Sequence, residues 1–135
     1  MAFSDTCSIT SELERIRDVR HWARLHAHAE GVSAPDCWAV ELALGEALAN
    51  VIRHGYEGRG GFQIQVGLAI DASRIEIEVR DTARPFARDS VIPVPLEVPR
   101  TGGYGLQLIE EVMDVVEYIA GESGGLLRMV KLRNA

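Results

Sequence analysis

The chain has 135 residues, a formal net charge of -6 at pH 7, 47% hydrophobic and 25% charged residues, and five prolines. This is the composition of one globular domain with a real core rather than of a disordered segment, and the acidic balance argues against a phosphate-backbone partner such as nucleic acid. No apolar run approaches the ~18 residues of a membrane span, the N-terminus MAFSDTCSIT has neither a basic leader nor an apolar signal core, and Cys7 and Cys37 lie outside any CxxC or Cys/His cluster. A single cytoplasmic domain over residues 1–135, with no zinc site and no disulfide framework, is expected.

Ser11 followed by Glu14 has the form of a capping box, and Leu13, Ile16, Val19 or Arg20, and Ala23 recur at helical spacing. This predicts a first helix over about residues 11–29, ended by Gly31. Ser33 opens a second helix with Pro35 and Asp36 in its first turn. That helix carries ELALGEALANVIRHGY and stops at Gly55. Glu46 and Asn50, four residues apart, share one face, and Arg53 and His54 extend it. Leu42, Ala43, Leu44, Ala47, Leu48, Ala49, Val51 and Ile52 occupy the remainder, so the helix is expected to be largely buried. A carboxylate and a carboxamide there need partners, because an unpaired buried polar group costs about 2 kcal/mol or more. A bound metal and its ligand would serve.

Past the glycine-rich turn GYEGRGG, Phe62, Ile64, Val66, Leu68 and Ile70 alternate with polar or small residues. Asp71, Ala72 and Ser73 form a turn, and Ile75, Ile77 and Val79 alternate with Glu76, Glu78 and Arg80, giving an antiparallel hairpin. From Thr82 to Gly103 four prolines interrupt a segment without periodicity, and a loop of that length is usually functional or mobile. TGGYG then leads into a helix of Leu106, Leu108, Ile109, Val112, Met113 and Val116. Two apolar segments, around Val115 to Ala120 and Leu126 to Leu132, read as a last hairpin. With no repeat and no βαβ alternation, the order predicts an α+β two-layer sandwich, a mixed, mostly antiparallel sheet with helices on one face.

Two further features carry chemistry. Glycines 102, 103 and 105 immediately before a helix offer backbone N–H groups and a positive dipole end that suit phosphate, although a hinge or tight turn would look the same. No Rossmann fingerprint or Walker A loop is present. Asp81 ends the second strand; alone it is an ordinary strand terminator, but beside a nucleotide it would accept from the exocyclic amino group of adenine, where guanine presents a carbonyl.

The motifs ExxxN, a strand ending in Asp, and GGxG before a helix, in that order, resemble those of the Bergerat-fold (GHKL) ATPases, and more closely those of the serine-kinase anti-sigma factors of bacterial partner-switching systems. The resemblance runs from about Glu41 to the end. It rests on Glu46, Ala47, Asn50, His54, Gly55 and Tyr56; on Asp81, Ala83, Pro85 and Phe86; and on Gly102 to Ile109 with Met113, Asp114 and Tyr118. It implies an ATP-dependent protein serine kinase that phosphorylates a small antagonist protein, sequesters a sigma factor and forms a homodimer. The alternative is a non-catalytic module whose protein-binding surface is set by ATP or ADP. Glu46 would be the general base, Asn50 the magnesium ligand, and Asp81 the reader of adenine. His54, Ala83, Thr101, Gly102, Gly103, Tyr104, Gly105 and Leu106 would complete the nucleotide site, with residues 87–103 as a lid. Two departures stand out: Ala83 occupies a position where many relatives have glycine, and the closing strand GGLLRMVK lacks a threonine that relatives often place near adenine.

Overall fold

The computed structural model describes residues 3–82, 103–121 and 124–133. The elements are β1 (Phe3–Thr10), a 3-10 turn (Leu13–Arg15), α1 (Ile16–Ala29), α2 (Ala34–Asn50), a π-helical turn (Val51–Gly55), β2 (Gln63–Ile70), β3 (Arg74–Asp81), α3 (Gly103–Val112), β4 (Val115–Gly121) and β5 (Gly124–Leu132). The five strands form one sheet in the order β1-β2-β3-β5-β4. Every pairing in it is antiparallel, so the expected parallel component is absent among the described strands.

The inward row of the sheet is Ile64, Val66, Leu68 and Ile70 on β2 and Ile75, Ile77 and Val79 on β3, all buried against Val19, Ala23 and Ala27 of α1 and the apolar face of α2. Each Ile, Leu and Val of this row contributes about 1.5–3 kcal/mol through removal from water. The outward face stays wet: Gln63, Gln65, Arg74 and Arg80 are exposed. Arg128 of β5 spans three strands on this side, donating to Glu76 on β3 at 3.0 Å and to Glu117 on β4 at 2.5 Å. One polar and one apolar face per strand is the pattern of an antiparallel sheet covered by helices on a single side.

The N-terminal strand was not expected, and neither was the role of Ser11. β1 pairs along its full length with β2, from Phe3↔Ile70 to Thr10↔Gln63. Its inward row is weakly apolar because Asp5 sits in it, held by Trp22 Nε1 at 3.4 Å and by His26 Nε2 at 3.6 Å. Ser11 is 1% exposed and does not cap a helix. Its hydroxyl donates to the Arg59 carbonyl at 2.7 Å and accepts from Phe62 N–H at 3.0 Å, tying the end of β1 to the glycine-rich turn. The first α-helix therefore starts at Ile16, five residues later than the Ser11–Glu14 pattern indicated.

At the other end of the chain, α3 stops at Val112 and Val116 belongs to β4. Asp114 N–H donates to the Val130 carbonyl at 2.8 Å, which converts the chain from helix to strand. The hairpins are otherwise where the alternation placed them. In the β2–β3 turn, Asp71 Oδ1 accepts from Ser73 N–H at 2.8 Å and from Arg74 N–H at 2.9 Å, the side chain taking the place of a backbone acceptor.

Candidate nucleotide site

α2 is the central helix: it packs against α1 on one side, α3 on the other, and β3 and β5 below. Ser33 caps it, accepting from Asp36 N–H at 3.3 Å, with proline in the first turn. Gly45 weakens the helix interior by ~1 kcal/mol relative to alanine, and the packing accounts for its presence. A Cβ there would meet Arg20 Cδ at 3.1 Å, so glycine lets the arginine stem of α1 lie across α2.

Ala39, Val40, Ala43, Leu44, Ala47, Leu48 and Ala49 of α2 are buried, whereas Glu46 and Asn50 are only half-buried. The expected apolar envelope is thus open along one stripe, and that stripe carries the two polar side chains. It needs no internal partner to offset desolvation, and it leaves a carboxylate and a carboxamide one helical turn apart and reachable by a ligand. Immediately after Asn50 the helix widens into the π turn, a feature frequent at functional sites. Widening changes the phase, so Arg53 and His54 emerge into solvent. His54 has no hydrogen-bond partner among the described residues.

Asp81 is the last residue of β3 and continues the inward row after Ile75, Ile77 and Val79; it is 7% exposed. A carboxylate at the end of an otherwise aliphatic row lies at the rim of the core on the helix-covered side. β5 flanks it through the pair Asp81↔Gly125. Gly124, at φ +137°, passes so close that a Cβ on it would collide with the Asp81 carbonyl oxygen.

Tyr56, unassigned by the sequence reading, joins the end of α2 to the end of β3. It is 3% exposed, its ring stacks on Phe62 at 4.6 Å, and its hydroxyl accepts from Thr82 N–H at 2.7 Å. The same oxygen lies 3.3 Å from the Gln63 carbonyl and 3.1 Å from Thr82 Oγ1. An aromatic residue directly after His-Gly, at a helix end, was the available signal; its partners, distant in sequence, were not legible.

Gly103, Tyr104, Gly105 and Leu106 form the first turn of α3. Its C-terminal end is pinned beside Val130, so the glycine end lies at the opposite end of the helix, about 14 Å away. Ala83, Thr101, Gly102, Pro85, Phe86 and most of the expected lid lie outside the described residues.

These donors fit the groups expected to bind. Among the described residues no group of three or more His, Cys, Asp or Glu side chains could hold a metal ion. Magnesium carried by a nucleotide asks for none, because it takes one or two protein oxygens and fills its octahedron with phosphate oxygens and water. The half-buried Asn50 amide can supply one such oxygen.

Comparison with known proteins agrees with this layout. The family model described as a histidine kinase-like ATPase domain matches residues 9–131. The chain is 30% identical over 113 residues to a serine-protein kinase RsbW of Oceanobacillus iheyensis, covering 78% of this chain and 71% of that protein. It is 34% identical over 113 residues to the RsbW of Halalkalibacterium halodurans, covering 78% and 68%, and 29% identical over 91 residues to an anti-sigma F factor of Bacillus thuringiensis, covering 64% and 62%. Among solved structures, the RsbU and RsbW domains of Rv1364c from Mycobacterium tuberculosis share the fold, with a TM-score of 0.72 at 18% identity over 98% of this chain and 33% of that one. The ordered motifs, the antiparallel sheet covered by helices and these matches together place the chain in the histidine kinase-like ATPase domain family, among its serine-kinase anti-sigma factors.

Proposed function

We propose that the chain binds ATP with magnesium and transfers the γ-phosphoryl group to a serine of a small antagonist protein, and that it sequesters a sigma factor in the alternative state of a cytoplasmic partner switch. The observation that carries this reading is the half-buried Glu46 carboxylate, one turn from Asn50 on the open stripe of α2. As the serine oxygen attacks in line and the bond from the γ-phosphorus to the ADP oxygen breaks, Glu46 takes the serine proton. Asn50 contributes a side-chain oxygen to magnesium, which when bound neutralises charge developing on the phosphates. The first turn of α3 directs N–H groups toward phosphate, and Asp81 accepts from the adenine amino group. His54, Ala83, Thr101 and Gly102 belong to the same proposed nucleotide set. A homodimer is part of the reading.

The competing reading is a non-catalytic module that holds its partner in one nucleotide state and releases it in the other. Glu46 favours the kinase, since a binder has no use for a base at that position. The test is Glu46→Gln, assayed with the antagonist that co-purifies with the chain. It should leave ATP affinity within about twofold and slow transfer by ~10²-fold or more, while Asn50→Ala should remove most of the magnesium dependence of ATP binding. If the wild type with its partner bound transfers no phosphate at any magnesium concentration, the binding module replaces the kinase.

A further inference from the structure

The β2–β3 ladder runs from Ile70↔Ile75 to Gln65↔Arg80 and then stops, although both strands continue. β2 goes on to Gln63 through its pairing with β1, and β3 goes on to Asp81 through its pairing with β5. Extending the register would set Ile64 opposite Asp81 and Gln63 opposite Thr82. In place of that last rung stands the phenol of Tyr56: its oxygen accepts from Thr82 N–H at 2.7 Å and can donate to the Gln63 carbonyl at 3.3 Å. A hydroxyl has one proton and can accept as well, so it relays between the two backbone groups that a continued antiparallel ladder would join directly. The ring is fixed for this task. It is stacked on Phe62 with an interplanar angle of 3°, and the Tyr56 carbonyl accepts from Arg59 Nε at 3.3 Å.

We infer that Tyr56 is a wedge that holds the β2–β3 ladder open at its last rung and thereby sets the place of Asp81, making it a positioning residue for base selection. The Tyr56 hydroxyl, acting through Thr82 on one side, and the close approach of Gly124 on the other then constrain the backbone at Asp81. The arrangement also links the base-reading strand to the π turn that follows Asn50, because Tyr56 closes that turn, its N–H donating to the Val51 carbonyl at 3.0 Å. Without the hydroxyl, Gln63 and Thr82 can close the rung directly, and the end of β3 moves toward β2. Backbone hydrogen bonding survives that change; the aim of the carboxylate does not.

This inference rests on the proposed reading of adenine by Asp81, and the experiment separates the two. Calorimetry with MgATP and with MgGTP is run on the wild type, Asp81→Asn and Tyr56→Phe, together with thermal unfolding. The expected pattern is a wild-type preference for ATP that Asp81→Asn abolishes. Tyr56→Phe should lower the preference about tenfold by weakening ATP alone, with the melting temperature within a few degrees of wild type and, in the transfer assay, a raised KM for ATP at unchanged kcat. If the wild type has no preference, or Asp81→Asn keeps it, the base reading fails and the wedge with it. If Asp81→Asn loses the preference while Tyr56→Phe keeps it in full, or weakens ATP and GTP alike, the wedge alone is overturned. Should Tyr56→Phe not fold, amide exchange at Thr82 in the wild type decides. MgATP should slow it and MgGTP should not, and an identical response to both overturns the inference.

Discussion

Replacing Gly124 with alanine perturbs the candidate site from the strand beneath it. Gly124 has φ +137°, and an added Cβ would collide with the Asp81 carbonyl oxygen and lie 2.8 Å from both the Asp81 carbonyl carbon and Thr82 Cα, inside the 3.0 Å that real Cβ contacts respect. All three atoms are backbone, so no side chain can rotate away. The positive φ costs a non-glycine residue about 1–2 kcal/mol and the overpacking about 1–3 kcal/mol, which together is about 2–5 kcal/mol. For a domain of this size that lowers the melting temperature by roughly 10 °C or more. Relief requires the start of β5 and the end of β3 to separate, which under the proposed reading of adenine by Asp81 carries the carboxylate away from the base, so ATP affinity should fall at least about tenfold. Gly61→Ala is the control: Gly61 also has a positive φ, +86°, but open space around it, so the variant loses only the backbone component, about 1–2 kcal/mol, and keeps ATP affinity. Differential scanning calorimetry and nucleotide titration of the two variants measure both effects. If Gly124→Ala binds ATP as tightly as wild type, or if the two variants match in stability and affinity, the claim that Gly124 and Asp81 are in backbone contact is wrong.

Burial, and secondarily the Asp5 carboxylate, push the Cys7 thiol from its ordinary 9.0 up to about 11, and burial likewise raises Cys37. Both should react slowly with a disulfide reagent at pH 8 compared with the urea-unfolded chain, and Cys7 should gain reactivity as pH rises toward 11; equal rates in native and unfolded protein would contradict the burial of β1 against α1. Sedimentation at micromolar concentration should give a dimer, and a sole species at 14.8 kDa would count against it. Of the apolar residues of α1, Val19 is buried and Ile16 and Trp22 pack on the chain's own core, leaving Leu25, 56% exposed, available to a partner.

What the sequence determined was whatever depends on spacing along a single element. The alternation of Ile64 to Ile70 and of Ile75 to Val79 fixed which face of each strand is buried, and the same period carried Asp81 into the inward row. The four-residue step from Glu46 to Asn50 put both on one stripe of α2, and the order of the three motifs was enough to point to the family. The tertiary structure alone decided what depends on partners far apart in the chain. β1 is a strand because β2 offers it an edge, although its own inward row includes Asp5; Ser11 bonds Arg59 and Phe62 rather than the helix after it. The π turn sends His54 into solvent where a continuous helix would have kept it on the stripe of Glu46. Tyr56 meets Thr82 across 26 positions, and Gly124 meets Asp81 across a sheet whose order, β1-β2-β3-β5-β4, no local period encodes. Periodicity reports the side of an element that water leaves, whereas a wedge, a backbone clamp or a strand order depends on which surfaces fill the space opposite, and that is settled only when the whole core packs.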